Sequence, residues 1–276
     1  MNSTLNIVGC GKLGRTLARL WTDKQSLSVQ DIVSRSAASA QSAASFIGAG
    51  RAVDGIAAMR VADIWMIATP DEQIAACTAA IAKTGRIAPG TIVFHCSGAL
   101  SAVELNAVKQ AGASVASVHP VASFAEPQQM LARFPGTWCC IEGDAAAVKV
   151  LTAAFSAIGG KVIAIDGNCK LIYHAAAVFA SNYLVTVLEA AVQAYELAGI
   201  PRDTALKIMQ PLVQGSAENV FRLGTAAALT GPIARGDIDL VKRQHAALAV
   251  QDASIAGLYR ELAQATAKLA GRKLEF

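Results

Sequence analysis

The stretch that most restricts the fold lies near the start of the chain. Leu5-Asn6-Ile7-Val8 is a short apolar run. It passes directly into Gly9-Cys10-Gly11-Lys12-Leu13-Gly14, and an amphipathic segment opens behind it. A G-x-G-x-x-G turn between a strand and a helix has a steric reason for each glycine. Gly9 permits the tight turn, Gly11 lets backbone approach a pyrophosphate, and Gly14 lets the helix pack closely on the strand. Free N–H groups at the positive end of the helix would then face the phosphates. The pattern predicts a dinucleotide-binding βα unit in which Gly9, Cys10, Gly11, Lys12, Leu13 and Gly14 contact the cofactor. A glycine-rich turn without a ligand is the plainer alternative.

Leu13, Leu17, Leu20 and Trp21 recur at helical spacing, and a second strand follows near 28–33. It ends in Ser34-Arg35-Ser36, about twenty residues past Gly14, where NAD-binding versions carry a carboxylate for the ribose 2′-hydroxyl. A cation between two hydroxyls suits a 2′-phosphate instead, so the expected cofactor is NADP(H). The run Ala62–Ala68 is almost continuously apolar, as a central parallel strand covered on both faces should be. Its end, Ala68-Thr69-Pro70, is expected to cross the cofactor, because ligands sit beyond the carboxyl ends of such strands. Asp71 reads as a cap for the next helix.

Strands near 91–94 and 114–118 end in His95-Cys96-Ser97-Gly98 and His119-Pro120, with Ser123-Phe124 just beyond. Both polar clusters fall on the same sheet edge as the glycine turn, which makes Ser97, Gly98 and His119 candidates for substrate contact. Residues 137–141 and 161–165 read as two more strands around a helix at 144–158. The expected fold is an α/β Rossmann domain over 1–165, with a mostly parallel doubly wound sheet, followed by an all-α domain over 166–276.

Composition narrows the function. Charged residues make up only 16% of the 276, against about 25% in soluble domains. So sparse a charged surface suggests that a second subunit covers part of it, through the helical half. The net charge of +4 is dispersed, without a basic run, and nucleic acid is not an expected partner. Cysteines 10, 77, 96, 139, 140 and 169 include no C-x-x-C pair and no zinc-like Cys/His spacing, so no metal is expected. Reduced thiols and the lack of a secretory h-region point to the cytoplasm. Residues 171–188 carry no formal charge, just enough for one membrane span. Tyr173, His174, Ser181, Asn182 and Thr186 interrupt that stretch, and a buried helix over 171–197 is expected instead. Further helices are read near 204–214, 217–229 and 240–269.

Lys170 and His174 are four residues apart and share a helix face, with Asn182 two turns further along. A lysine at the mouth of an apolar helix is desolvated, which suits it to proton transfer. The chemistry expected is carbonyl reduction by NADPH, with Lys170 donating to the developing alkoxide and His174 and Asn182 orienting the substrate.

A Rossmann start, extra strands and an all-helical C-terminal half resemble the 6-phosphogluconate dehydrogenase and β-hydroxyacid dehydrogenase superfamily. There a lysine and an asparagine one turn later flank the substrate on the first long helix after the Rossmann domain. Lys170 matches the lysine, His174 stands in the asparagine position, and Ser97-Gly98 corresponds to the serine-containing turn that touches substrate. Nearly the whole chain is similar to the Rossmann-like group with C-terminal domain of unknown function 2520. The matching stretches are His119-Pro120 with Ser123-Phe124, Tyr173–Ala177 with Ala180-Ser181-Asn182, and Gly231-Pro232 with Arg235-Gly236-Asp237. That group is mostly described as NADP oxidoreductases. Some members are similar to an alternative ketopantoate reductase, and the group is distantly similar to pyrroline-5-carboxylate reductase. The resemblance implies an NADP-dependent oxidoreductase reducing a small anionic carbonyl or imine compound, such as a ketopantoate-like 2-oxo acid. It also implies a homodimer in which His245 and the 231–237 turn could complete a partner's site. A non-catalytic NADP-binding sensor or scaffold is the competing class.

Overall fold

The computed structural model describes residues 2–276. It divides into two compact units, Met1–Val178 and Phe179–Phe276, although sequence character changes earlier, at about Asp166. The difference arises because the first turns of the helix after Asp166 send side chains into the sheet unit, as described below.

In the first unit the chain runs β1 (Thr4–Val8), α1 (Lys12–Asp23), β2 (Ser28–Val33), α2 (Ala37–Ile47), β3 (Arg51–Ala52), β4 (Ile64–Ile67), α3 (Asp71–Lys83) and β5 (Ile92–His95). It continues through α4 (Asn106–Gln110), β6 (Ser114–Pro120), α5 (Pro127–Arg133), β7 (Trp138–Gly143), α6 (Ala145–Ala157), β8 (Lys161–Ala164) and α7 (Lys170–Ala180). The eight strands form one sheet in the order β3-β2-β1-β4-β5-β6-β7-β8. All neighbours are parallel except β6 and β7, which pair antiparallel with His119 opposite Cys140.

Successive residues of a strand face opposite sides, and β4 shows why its apolar run has no gaps. Ile64 and Met66 enter one core, Trp65 and Ile67 the other. On the first side α1 contributes Leu17, Ala18 and Trp21. The Trp21 ring stands edge-on to Phe155 with centroids 5.2 Å apart, and its Nε1 donates to the Ala154 carbonyl at 2.9 Å. That contact ties the two halves of the sheet together through their helices. At the other sheet edge Asp31, fully buried, accepts from Arg51 and from both the side chain and the backbone of Arg60.

The second unit holds α8 (Asn182–Leu197), α9 (Arg202–Leu223), α10 (Thr225–Ala228), α11 (Pro232–Arg235), α12 (Ile238–Gln251) and α13 (Ala253–Leu269). Three expectations are corrected here. The helix expected over 171–197 is two helices, interrupted at Ser181, whose φ of −125° and ψ of −69° leave the helical region. An 18-residue window between Gly167 and Leu197 has a mean hydropathy of 1.6, enough in length and composition to cross a membrane. Only 6% of it is buried within this chain, so the buried helix expected there is largely exposed. The helix expected at 204–214 runs on through Pro211 into most of that expected at 217–229 as α9, which ends at the Gly224 cap, and residues 225–228 form the separate α10. The region 240–269 is broken at Asp252, whose carboxylate accepts the Ser254 and Ile255 N–H groups and so caps α13. The Gly231–Asp237 turn is held locally. Arg272 donates to the Ala234 carbonyl at 2.8 Å, and Asp237 caps α12 through the Leu240 N–H. His245 packs against Phe276 with centroids 4.8 Å apart.

Candidate active site

The carboxyl ends of β1, β2 and β4 border a cleft of about 870 Å³, a size that suits a cofactor. Gly9, Cys10, Gly11, Arg15, Ser34, Arg35, Ser39, Ala68, Thr69 and Pro70 line it. The three glycines differ in the way the motif requires. Gly9 has a φ of +80°, and a Cβ there would stand 2.5 Å from Thr69 Cγ2 and 2.8 Å from the Thr69 backbone nitrogen. A Cβ on Gly14 would press on the Gly9 carbonyl at 3.0 Å and on Ala68 Cβ at 3.2 Å. A Cβ on Gly11 would meet no protein atom within 4 Å, so the space before it is free for a ligand.

Two buried polar atoms on this wall, Arg15 Nε and Thr69 Oγ1, have no hydrogen-bond partner. An unpaired buried donor or hydroxyl is costly, by about 1–3 kcal/mol, and a phosphate-bearing ligand in the cleft would relieve both. No side chain caps α1, so its leading N–H groups are also available. These features fit a dinucleotide. Lys12 and Leu13 lie in the first turn of α1 and do not line the cleft. Ser36 does not line it either. Its hydroxyl caps α2 by accepting the Ser39 N–H, and Ser39 lines the cleft in its place. The Cys10 thiol, pushed up to about 12 by burial against the opposing pull of Arg15, stays protonated. Arg15 was not foreseen, although it directly follows the third glycine on the first turn of the helix.

The next strands along the same edge carry a second cluster. Asp71 is not the cap of α3, which is Pro70. Its carboxylate instead accepts the Ser97 hydroxyl at 2.8 Å, linking the cleft loop to the turn after β5. The same Ser97 oxygen accepts the N–H groups of Ala99 and Leu100, and Ser97 is only 7% exposed. Its hydroxyl therefore organises the turn and has little left to offer a substrate. His95 is fully buried. Its Nδ1 accepts the Ser97 N–H, so Nε2–H donates to the Ser101 carbonyl at 3.0 Å. Burial, aided by the Lys170 charge, holds it neutral with a pKa of about 4.

Lys170 reaches into this unit from the start of α7 and is 1% exposed. Its ammonium donates to the Ser97 carbonyl at 2.8 Å and to the Ser117 hydroxyl. Burial lowers its pKa, while Glu142, Cys96 and Asp71 work against that shift. The sequence reading of Lys170 as a residue at a helix mouth, donating straight to substrate, needs correction. The group is sealed beneath the Ser97 turn because β5 and β6 offer it two oxygens there. Ser117 was missed, yet it sits two residues before His119 on the same strand face, which alternation alone could have indicated.

Above the ammonium lie His119, Tyr173 and His174. The Tyr173 hydroxyl and His119 Nδ1 are 2.7 Å apart. The His119 ring stands edge-on to both Tyr173 and His174, at 5.7 and 5.8 Å between centroids. Burial, and then the Lys170 and His174 charges, push His119 down to about 4. Burial and the nearby Cys140 thiol push Tyr173 up. Gly98 backs onto the pair, where a Cβ would stand 2.5 Å from His174 Nδ1 and 2.9 Å from His119 Nε2. Asn182, expected on the same face as Lys170, begins α8 in the second unit, beyond the break at Ser181. Among the described residues no group of three or more His, Cys, Asp or Glu could hold a metal ion, and all six cysteines are free.

Family models match the chain in two places. Residues 2–120 match the Rossmann-like domain, and residues 137–266 match the domain of unknown function DUF2520. No curated protein matches. Among solved structures, a Bacteroides fragilis protein assigned as an NADP oxidoreductase is 22% identical, with a TM-score of 0.80 over 97% of this chain and 98% of that one. A protein of Thermotoga maritima is 26% identical, with a TM-score of 0.76 over the same shares. The imine reductase of Myxococcus stipitatus, in complex with NADP+, is 16% identical, with a TM-score of 0.66 over 97% of this chain and 92% of that one. These likenesses establish a shared fold.

Proposed function

We propose that this chain, which belongs to the family joining a Rossmann-like domain to DUF2520, is an NADP-dependent reductase of a small anionic carbonyl or imine compound. The observation that carries the reading is adjacency. A cleft with two unpaired buried polar atoms, Arg15 Nε and Thr69 Oγ1, adjoins a buried ammonium and two imidazoles on one sheet edge. The names of the structural neighbours, an NADP oxidoreductase and an imine reductase, support the same class.

In this reading the α1 N-terminus and Arg15 hold the pyrophosphate, and Ser34, Arg35 and Ser39 hold the 2′-phosphate. When bound, the reduced nicotinamide supplies a hydride. Ala68, Thr69 and Pro70 bound the cleft on the side nearest β5 and so orient the nicotinamide end. His119, His174 and Gly98 form the surface against which the substrate lies. Lys170 lies beneath them, and in its ammonium form it stabilises the negative charge that develops on the substrate and favours an anionic one. The exposed apolar side chains of α9, with Leu212 at 63% and Phe221 at 90%, support a homodimer in which a second copy covers them.

Fluorescence titration with NADPH and NADH tests the cofactor, followed by NADPH oxidation with a panel of 2-oxo acids and cyclic imino acids. NADPH binding at least tenfold tighter than NADH, with turnover on one panel member, is expected. Binding of neither nucleotide overturns the proposal. Tight NADPH binding with no turnover anywhere favours a non-catalytic sensor.

A further inference from the structure

Beneath the sheet edge, the one cation of the cluster is already committed. The Lys170 ammonium is turned toward the Ser97 carbonyl and the Ser117 hydroxyl and, at 1% exposure, has no open face toward a ligand. A reductase still requires a donor at the atom that gains electron density when hydride adds to the neighbouring carbon. Two ring nitrogens, His119 Nε2 and His174 Nδ1, pack directly against Gly98, where a Cβ would stand 2.9 Å and 2.5 Å from them. His174 Nδ1 is buried and unpaired. His119 Nε2 has no protein partner among the described residues, while its Nδ1 is engaged by Tyr173 at 2.7 Å.

We propose that the Tyr173 hydroxyl, by donating to His119 Nδ1, fixes the His119 ring in the Nε2–H tautomer, and that this N–H donates the hydrogen bond that polarises the substrate's carbonyl or imine. A phenol donates well to an imidazole nitrogen, and the bond made by one ring nitrogen dictates the state of the other. Burial of the ring, and after it the charge of Lys170, oppose a second proton on it, so the imidazole stays a neutral donor, a state that serves as an electrophile in other enzymes. His119 would then touch the substrate, Tyr173 would act as a positioning residue through it, and Lys170 would act through its field. This assignment rests on the reductase reading.

Long-range 1H–15N NMR of the histidine rings in the full chain tests the tautomer without any substrate. Signals are assigned by the loss of one ring in His119→Gln. The wild type should show His119 as Nε2–H, and Tyr173→Phe should convert it to a mixture with the Nδ1–H form. A wild-type Nδ1–H ring, or a tautomer unmoved by Tyr173→Phe, overturns the proposal. Once a substrate is in hand, His119→Gln should lower kcat/KM about 100-fold, as loss of such a donor does elsewhere, with NADPH affinity held within threefold. Unchanged kcat/KM would sink the His119 assignment and leave the reductase standing. Absence of NADPH binding in the wild type would sink the reductase and leave the tautomer result intact.

Discussion

Alanine at Gly9 and alanine at Gly11 are the same chemical change two residues apart, and the structure assigns them opposite consequences. At Gly11 the backbone φ is −71°, ordinary for an L-residue, and the added methyl meets no protein atom within 4 Å. Folding stability should move by no more than about 0.5 kcal/mol. The methyl does occupy the space through which backbone approaches the pyrophosphate, so NADPH affinity should fall at least tenfold, or about 1.4 kcal/mol. At Gly9 the φ of +80° costs an L-residue roughly 1–2 kcal/mol. The Cβ lies 2.8 Å from the Thr69 backbone nitrogen, which cannot rotate away, and overpacking of that kind adds about 1–3 kcal/mol. A total near 2–5 kcal/mol corresponds to a melting temperature lower by roughly 4–20 °C at 2–4 °C per kcal/mol. Differential scanning fluorimetry of both variants, paired with NADPH titration, reads the two effects separately. A Gly11→Ala protein that binds NADPH like wild type would refute the claim that the cofactor's phosphates lie against this turn. A Gly9→Ala protein that melts like wild type would refute the steric account of the turn itself.

Replacing Ser34 with Asp and Arg35 with Ala together should shift the ratio of NADPH to NADH dissociation constants by at least tenfold toward NADH, measured by fluorescence; an unmoved ratio removes the 2′-phosphate site from the end of β2. Lys170→Met, which keeps length and removes charge, should leave NADPH affinity within threefold and cut turnover on any identified substrate by at least 100-fold in steady-state kinetics. Ser97→Ala strips the turn of three hydrogen bonds. It should lower stability by roughly 1–3 kcal/mol in chemical denaturation, so an intact midpoint would argue that the hydroxyl serves a ligand. Asp31 provides a pH signature. Burial works to raise its pKa, but the hydrogen bonds from Arg60 and Arg51 outweigh it and hold the group below its ordinary value. A carboxylate depressed on folding contributes stability that is complete above its unfolded pKa of about 3.9 and is lost as pH falls through the folded value. Melting temperatures between pH 7 and pH 3 should therefore drop more steeply below pH 4 in wild type than in Asp31→Asn, and parallel curves would contradict the assignment.

Much of the sheet unit is legible in order of sequence because its signals are local. The spacing of Leu17 and Trp21 marks α1, the unbroken run at 62–68 marks β4, and the glycines mark the turn between strand and helix. Breaks inside apolar helices are less legible. Ser181 interrupts α7 and α8 without a capping side chain, and Pro211, which ordinarily ends a helix, is carried inside α9. Asp252 breaks another such stretch: helical spacing on both sides reads as one helix over 240–269, although its carboxylate caps α13. In the site, the residue types were visible and their partners were not. Asp71 looked like a helix cap and holds Ser97, Ser36 looked like a ligand residue and caps α2, and Tyr173 gave no sign that its hydroxyl would meet His119.

Sequence alone determined that a βα unit with a phosphate-binding turn would form, that parallel strands would follow, and that His95, Ser97 and His119 would gather at one sheet edge. Those outcomes depend on backbone sterics, periodicity and the rule that strand ends carry the loops, all of which act over a few residues. Tertiary structure decided that Lys170 would be sealed between the Ser97 carbonyl and the Ser117 hydroxyl, residues 73 and 53 positions away. It likewise brought Tyr173 to His119 across 54 positions. Hydrogen-bond partners at that separation are set by strand order and register, which the pairing of whole strands selects and no local pattern specifies.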